Sequence, residues 1–102
     1  MNDLECYFRN RVTMMGKVVR FTEETSEYQA FLLETKEIWP EGQTLCESHE
    51  VRYYKNDRHP GLAPELVMGR LVEVNGRVRL KDNDAPEYRP FIHCVDFQLH
   101  QA

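Results

Sequence analysis

The sequence predicts an all-β fold, a five-stranded Greek-key barrel with a short helix between the third and fourth strands. Four stretches of the 102-residue chain show the apolar–polar alternation of β-strands, and a fifth apolar stretch follows near the C-terminus. The length suits one domain, assigned to residues 10–102 after an N-terminal extension of residues 1–9. A small β-sandwich or another five-stranded barrel is the alternative that the pattern alone leaves open.

The first two strands are predicted at residues 11–20 and 28–35, joined by a polar loop over residues 21–27. Gly16 lies inside the first strand, where a glycine marks a bulge or a sharp coil. The side chains expected to face the core are Val12, Met14 and Val18 in the first strand and Phe31 and Leu33 in the second.

The third strand is predicted at residues 50–54, where Val51 and Tyr53 would face the core. A long hairpin excursion over residues 36–48, with turn residues near its tip, precedes this strand. The tyrosine at position 53 therefore belongs to the core and not to a binding site.

A short helix is predicted to begin near Pro64 and to end before Gly69. The fourth strand covers residues 71–80 and runs unbroken through Gly76, because its apolar alternation continues across that glycine. A loop rich in Asp, Asn and Pro leads to the last strand at residues 91–99. The expected inward side chains are Val72, Val74, Val78 and Leu80 in the fourth strand and Val95 and Phe97 in the fifth.

The net charge of −4 is mild evidence against a nucleic-acid partner, because polyanion binders usually carry a basic surface. The acidic residues, however, crowd the first half of the chain, while several basic residues cluster between Arg70 and Lys81. No apolar run approaches the ~18–20 residues that cross a bilayer. The N-terminus has no signal-peptide pattern, so we expect a cytoplasmic protein with no membrane partner.

The three cysteines, Cys6, Cys46 and Cys94, are odd in number and far apart, which is not typical of a disulfide framework. Cys94 is expected to be a small buried hydrophobe. Neither Cys46 with His49 nor His93 with Cys94 has a second pair at zinc-site spacing, so no metal is expected. The sequence has no phosphate-binding glycine loop, nucleophile elbow or HExxH pattern, and we expect neither catalysis nor a cofactor.

Four segments, in the same order and spacing, resemble bacterial single-stranded-DNA-binding proteins. Residues 10–18 resemble the family's opening strand, with its Asn-x-Val-x-Leu-x-Gly-x-Leu pattern, and residues 31–35 resemble its second strand. Residues 49–54 resemble the third strand, and residues 69–79 resemble the fourth, with its Lys-Gly-x-x-Val-x-Val-x-Gly-x-Leu pattern. The resemblance spans about residues 10–99 and implies an oligonucleotide/oligosaccharide-binding (OB) fold.

The sequence departs from that family in three places. Ser48 stands where a tryptophan usually precedes His49, and residues 81–83 lack a common stacking aromatic. The chain ends at Ala102 without the family's acidic, Phe-terminated tip. These departures are typical of a truncated domain, a mobile-element version or a relative of the tailless primosomal replication protein N.

Single-strand binders stack bases on aromatic faces and hold phosphates with cations. The resemblance places stacking aromatics at Trp39 and Tyr54, and Tyr28 and Tyr88 are further candidates. The candidates for phosphate contacts are Lys17, Arg52, Lys55, Arg77 and Arg79. Trp39 could instead belong to a subunit interface or pack on a loop, Tyr54 could pack on a neighbouring loop, and the cations could be ordinary solvated charges.

The expected function is non-sequence-specific binding of single-stranded DNA in replication, repair, recombination or primosome assembly, weaker than in a typical family member. The alternative is a protein-interaction subunit of a replication or conjugation complex with little DNA affinity of its own. An outward stripe in the first strand is typical of a subunit interface, so we expect a homodimer or homotetramer. The stripe consists of Thr13, Met15, Lys17 and Val19. Replication or recombination proteins are the further expected partners.

Overall fold

Five strands form a closed barrel in the computed structural model, which describes residues 9–56, 61–80 and 89–100. The elements are β1 (Val12–Glu24), β2 (Tyr28–Ile38), β3 (Thr44–Tyr54), α1 (Pro64–Val67), β4 (Leu71–Leu80) and β5 (Pro90–His100). The strand order around the barrel is β1-β2-β3-β5-β4, and of these strand pairs only β3 with β5 is parallel. The predicted five-stranded barrel is confirmed, and the sandwich alternative is excluded because β1 pairs with both β2 and β4.

The core lies inside the barrel and follows the predicted alternation in the first three strands. Val18, Phe31, Leu33, Val51 and Tyr53 are all buried, as their strand positions predict. Val12 and Met14 are half-buried and pack against this cluster.

One turn of helix, α1, follows β3 where the sequence predicts it, with Pro64 in its first turn and Gly69 just after its end. Val67 of this turn and Leu62 before it belong to the core. The buried Gln29 side chain fixes the segment to β2, because it accepts the N–H of Leu62 at 2.6 Å and donates to the Leu62 carbonyl at 2.9 Å. No helix in the described part of the chain is long and apolar enough to cross a bilayer.

The loop predicted over residues 21–27 is wrong in extent, because β1 continues to Glu24 and the turn keeps only residues 25–27. Phe21 is half-buried and its ring lies 5.6 Å from that of Phe31, so packing holds this polar stretch in the strand. The Thr25 hydroxyl then accepts the N–H groups of Glu27 and Tyr28 and closes the short turn.

Gly16 does not mark a bulge, in contrast to the expectation from the sequence; the pairing of β1 with β2 shifts register later, around Val19 and Thr22. The glycine is required instead by a close approach of two strands. A Cβ atom at position 16 would overlap the carbonyl oxygen of Glu34.

β4 runs unbroken through Gly76, as predicted, but β5 contains one extra residue opposite that point. Asn75 pairs with Asp96 and Gly76 pairs with Cys94, which leaves Val95 unpaired. The prediction that Val95 faces the core is therefore wrong, and its side chain is 64% exposed. Phe97 is half-buried against the core, and Cys94 is buried as expected.

The inward set predicted for β4 is correct only in its first half. Val72 and Val74 are buried, whereas Val78 and Leu80 are exposed. Val78 borders a cleft of about 350 Å³ at one end of the barrel, which the described residues do not fill. The apolar alternation therefore continues past the region where the barrel is packed.

Replacing Gly76 by Ala should destabilise the barrel, because the added Cβ would overlap the backbone carbonyl of His93. We expect a loss of about 2 kcal/mol in the free energy of unfolding, as for an overpacked core position. Urea unfolding followed by circular dichroism measures it. Gly42→Asn is the matched control, because Gly42 has open space around it and Asn tolerates its positive φ of 88°. Equal unfolding midpoints for Gly76→Ala and wild type would contradict this account.

Candidate nucleic-acid interface

The register of the barrel lays one row of residues across four strands, on the side of the sheet that faces away from the core, and only Ala30 of this row is buried. Ala30 of β2 pairs with Arg52 of β3, Arg52 pairs with His93 of β5, and His93 pairs with Arg77 of β4. Paired residues of neighbouring strands point to the same side of a sheet at a spacing of about 4.8 Å. Two cations and an imidazole therefore lie side by side on the outside of the barrel.

Three rings form a continuous aromatic strip beside this row. Tyr54 lies at its centre, with its ring centroid 5.3 Å from Tyr28 and 4.4 Å from His93. The pairing of Tyr28 with Tyr54 across β2 and β3 sets the first contact. The hydroxyl of Tyr28 donates a hydrogen bond to the Glu23 carboxylate, which orients that ring and raises its pKa. All three residues are partly exposed, so planar groups can reach the strip from solvent.

The guanidinium group of Arg52 packs against two aromatic rings at this site. Its guanidinium carbon lies 4.7 Å from the ring centre of Tyr28 and 4.3 Å from that of Phe91. Its Nε donates to the Glu50 carboxylate at 3.0 Å. Arg52 is thus a rigid, half-buried cation rather than a mobile surface charge.

Arg77 and Arg79 extend the surface onto β4, where they pair with His93 and Phe91 respectively. Loss of hydration by burial lowers the pKa of His93, and the positive charges of Arg79 and Arg77 lower it further. A cleft shared by Arg11 and Arg77 adds a third arginine at this edge. The name aromatic–cationic surface denotes the set of Tyr28, Arg52, Tyr54, Phe91, His93, Arg77 and Arg79.

Two predicted phosphate contacts lie outside the centre of this surface. The Lys55 ammonium is already engaged, because it donates to the Glu24 carboxylate at 3.2 Å and to the Thr25 carbonyl at 2.7 Å. Lys17 pairs with Glu34, six residues and about 20 Å along β2 from Tyr28. Lys55 therefore fastens the β1–β2 turn, and Lys17 lies on the outward stripe of β1.

The two remaining stacking candidates are not part of this surface. Trp39 lies in the turn at the far end of the β2–β3 hairpin, where its backbone N–H donates to the Gln43 carbonyl at 2.7 Å. It follows Tyr28 by eleven residues, which corresponds to about 35 Å along a strand. Tyr88 lies outside the described residues, as does the predicted N-terminal extension up to residue 8.

Sequence reasoning missed His93, Phe91 and Arg11 as members of the surface and its edge. Simple alternation that places Val95 in the core also places Phe91 and His93 there, so the sequence gives no reason to consider them for a surface site. The extra residue at Val95 reverses this alternation and turns both side chains outward. One signal is present in the sequence, because two aromatic rings, Phe91 and His93, are separated by one residue, as on one face of a strand.

The candidate metal pairs remain incomplete in the structure. No group of three His, Cys, Asp or Glu side chains converges within the described residues. Cys46 is exposed, and the His49 ring instead bonds to the Thr35 hydroxyl at 3.0 Å. Burial raises the pKa of the Cys94 thiol to about 11, as suits a buried core residue.

Comparison with known proteins gives the fold a clear context. No family model matches the sequence, and no curated protein matches it significantly. Among solved structures, a small single-stranded-DNA-binding protein of Mycoplasma pneumoniae superposes with a TM-score of 0.66 at 10% identity, over 92% of this chain and 94% of that chain. The N-terminal domain of PriB from Thermoanaerobacter tencongensis, described as dimeric, gives 0.57 at 18% identity over 91% and 98%. A Plasmodium falciparum single-stranded-DNA-binding protein in complex with single-stranded DNA gives 0.67 at 19% identity over 99% and 100%.

These likenesses cover nearly all of this chain and nearly all of each neighbour. Identities of 10–19% make them evidence of a shared fold. The predicted OB fold is therefore confirmed.

The lowered pKa of His93 gives protein stability a specific pH dependence. Because the unfolded chain binds a proton at His93 near the ordinary value of 6.5 and the folded protein binds it only at lower pH, stability is lost as pH falls from neutral through 6.5. We expect His93→Gln to remove this loss, so that the wild-type minus variant difference in unfolding free energy declines from pH 7.5 to pH 5. Urea unfolding across that range measures the difference. A constant difference would contradict the stated environment of His93.

Proposed function

We propose that this protein binds single-stranded DNA without sequence preference through the aromatic–cationic surface, as a component of replication, repair, recombination or primosome assembly. The observation that carries the proposal is the position of the Tyr54 ring between Tyr28 and His93, directly beside Arg52. This arrangement lies on β2 and β3, the strands that OB folds use to bind oligonucleotides. The surface combines stacking platforms and cations, which are the two features that single-strand binding needs.

In the proposed mechanism, the aromatic rings bind the bases and the arginines bind the phosphates. Bases stack on the free faces of Tyr54 and its neighbours, which any base can do because every base has a π-face. The guanidinium groups of Arg77 and Arg79 lie within one or two strands of these rings and contact the phosphates of the same DNA strand. Both contacts ignore base identity, so binding is tolerant of sequence.

The solved neighbours support this proposal by their descriptions. Two of them are described as single-stranded-DNA-binding proteins, and one was solved with single-stranded DNA bound. We also propose that the protein acts in the cytoplasm and that it binds DNA without catalysing a reaction.

Association with a second copy is also part of the proposal, because the apolar side chains in the outward stripe of β1 are exposed in the structure. Met15 and Val19 are exposed on β1, and Leu71 of β4 lies opposite Lys17 beside them. A solved neighbour with this fold is described as dimeric. We therefore propose a homodimer or homotetramer that buries this stripe.

Removing the central ring should weaken DNA binding. We expect Tyr54→Ala to lower affinity for fluorescein-labelled oligo(dT) by roughly 5- to 150-fold, since one base–aromatic stack contributes about 1–3 kcal/mol. Fluorescence anisotropy at low and moderate salt measures the affinity. Tyr54→Phe is the matched control, because it keeps the ring and should keep the affinity. If wild type shows no salt-sensitive binding at micromolar DNA, the proposed function is wrong.

The two β4 arginines should account for part of the salt dependence of binding. We expect Arg77→Ala/Arg79→Ala to reduce the slope of log K against log salt by about 1.4, or about 0.7 for each phosphate that is no longer neutralised. The control variant Lys36→Ala removes a cation from the part of β2 that does not pair with β1, away from the surface, and should leave the slope unchanged. A reduction of about 0.7 in Lys36→Ala would mean that the DNA phosphates do not run along Arg77 and Arg79.

A further inference from the structure

The β2–β3 hairpin projects beyond the barrel as an arm of residues 35–48. β2 pairs with β1 only as far as Glu34, and β3 pairs with β5 only at residues 51–53. Within the described residues, the two strands of the arm pair with each other and with nothing else. As far as the described residues go, both edges therefore present unpaired backbone groups, which are a template for an added strand.

The tip of the arm carries exposed apolar side chains on both of its faces, and the core of the domain does not use them. Ile38 is 74% exposed, Trp39 is 46% exposed and Leu45 is 38% exposed. Trp39 and Leu45 line a cleft of about 300 Å³ together with Gln43 and Thr44. Large side chains grouped at an exposed tip are typical of a contact surface for another molecule.

The charge of the arm selects the kind of partner. Residues 35–48 contain three carboxylates, Glu37, Glu41 and Glu47, against one ammonium, Lys36, which gives a net charge of −2. None of these four groups makes an ion pair within the described part of the chain. Phosphates, anionic lipids and the identical arm of a second copy all carry like charge and are disfavoured at this surface.

We propose that the arm is a docking site for an extended segment of another protein that presents alternating basic and apolar side chains. Glu37, Leu45 and Glu47 lie on one face of the arm, with Trp39 beside Leu45, and Ile38 lies on the other face. A segment paired with a free edge of the arm can therefore place its cations beside these carboxylates, with their apolar stems on Trp39 and Leu45, and its apolar side chains on the face of Ile38. Trp39 is thereby assigned to protein binding, in contrast to the base-stacking role that its sequence position suggests.

The arm and the aromatic–cationic surface can act at the same time. Tyr28 and Ile38 begin and end the same strand, about 33 Å apart along it. A partner held at the tip would therefore leave the rings of Tyr28 and Tyr54 open to DNA. Docking at the arm does not depend on the proposed DNA binding, although together they would make the protein an adaptor between a DNA strand and a second protein.

The test uses the full chain and an eight-residue peptide of alternating lysine and valine. Trp39 is the only tryptophan, so its emission reports directly on the tip. We expect a saturable change in Trp39 emission at physiological salt, and no change with the same peptide carrying glutamate in place of lysine. Ile38→Ser/Leu45→Ser and Glu41→Gln/Glu47→Gln should each weaken binding at least tenfold.

A matched variant distinguishes docking from general attraction to an acidic protein. Glu27→Gln/Asp96→Asn removes two exposed carboxylates from outside the arm and should bind the peptide like wild type. Equal weakening in this variant and in Glu41→Gln/Glu47→Gln would overturn the proposal.

Oligo(dT) separates the docking role from a DNA role of the arm. Labelled oligo(dT) should bind the arm variants as it binds wild type and should leave Trp39 emission unchanged. If oligo(dT) quenches Trp39 and the arm variants lose DNA affinity, the arm is a DNA-binding element and the docking proposal is wrong. If oligo(dT) binds no form of the protein while the peptide still binds at the tip, the proposed function fails and the docking proposal stands.

Discussion

The short parallel contact between β3 and β5 is the constraint on which the candidate site depends. Only three residue pairs form it, and they close the barrel. The outer two pairs, of Val51 with Ile92 and of Tyr53 with Cys94, are buried and fix the alignment through the core. The middle pair, Arg52 with His93, then points outward, so the packing that closes the barrel also sets a cation beside an imidazole.

The irregularity at Val95 determines which side chains of β5 reach the surface. A shift of one residue in a strand moves every side chain to the opposite face. With the extra residue in place, Ile92 and Cys94 enter the core, while Phe91 and His93 point away from it, with Phe91 buried against Arg52 and His93 beside Tyr54. Gly76 allows this irregularity, because a side chain there would meet the backbone of β5. Gly76 and the unpaired Val95 thus determine that Phe91 and His93 belong to the aromatic–cationic surface.

The sequence predicts the parts of this structure that depend on alternation within one strand. The five strands, the buried residues of β2 and β3, and the shared face of Arg52 and Tyr54 all follow from a period of two. The membership of His93 and the exposure of Val95 depend on pairing between β4 and β5, which a single strand does not reveal. The distance of Trp39 from Tyr54 likewise depends on pairing, because β2 and β3 stay paired as far as Ile38 and Thr44. The polar residues of this segment are typical of a loop, so the sequence does not predict that pairing.

The distribution of charge explains how an acidic chain can present a cationic surface. The arginines of β3 and β4 lie on either side of β5, whereas the length of the hairpin carries the carboxylates of the arm away from the barrel. Charges separated by more than about 10 Å are largely screened at ordinary ionic strength, so the acidic arm leaves the arginines effective. Net charge is thus a poor guide to the local charge of this protein's surfaces, because the hairpin carries three carboxylates away from the arginines of the barrel.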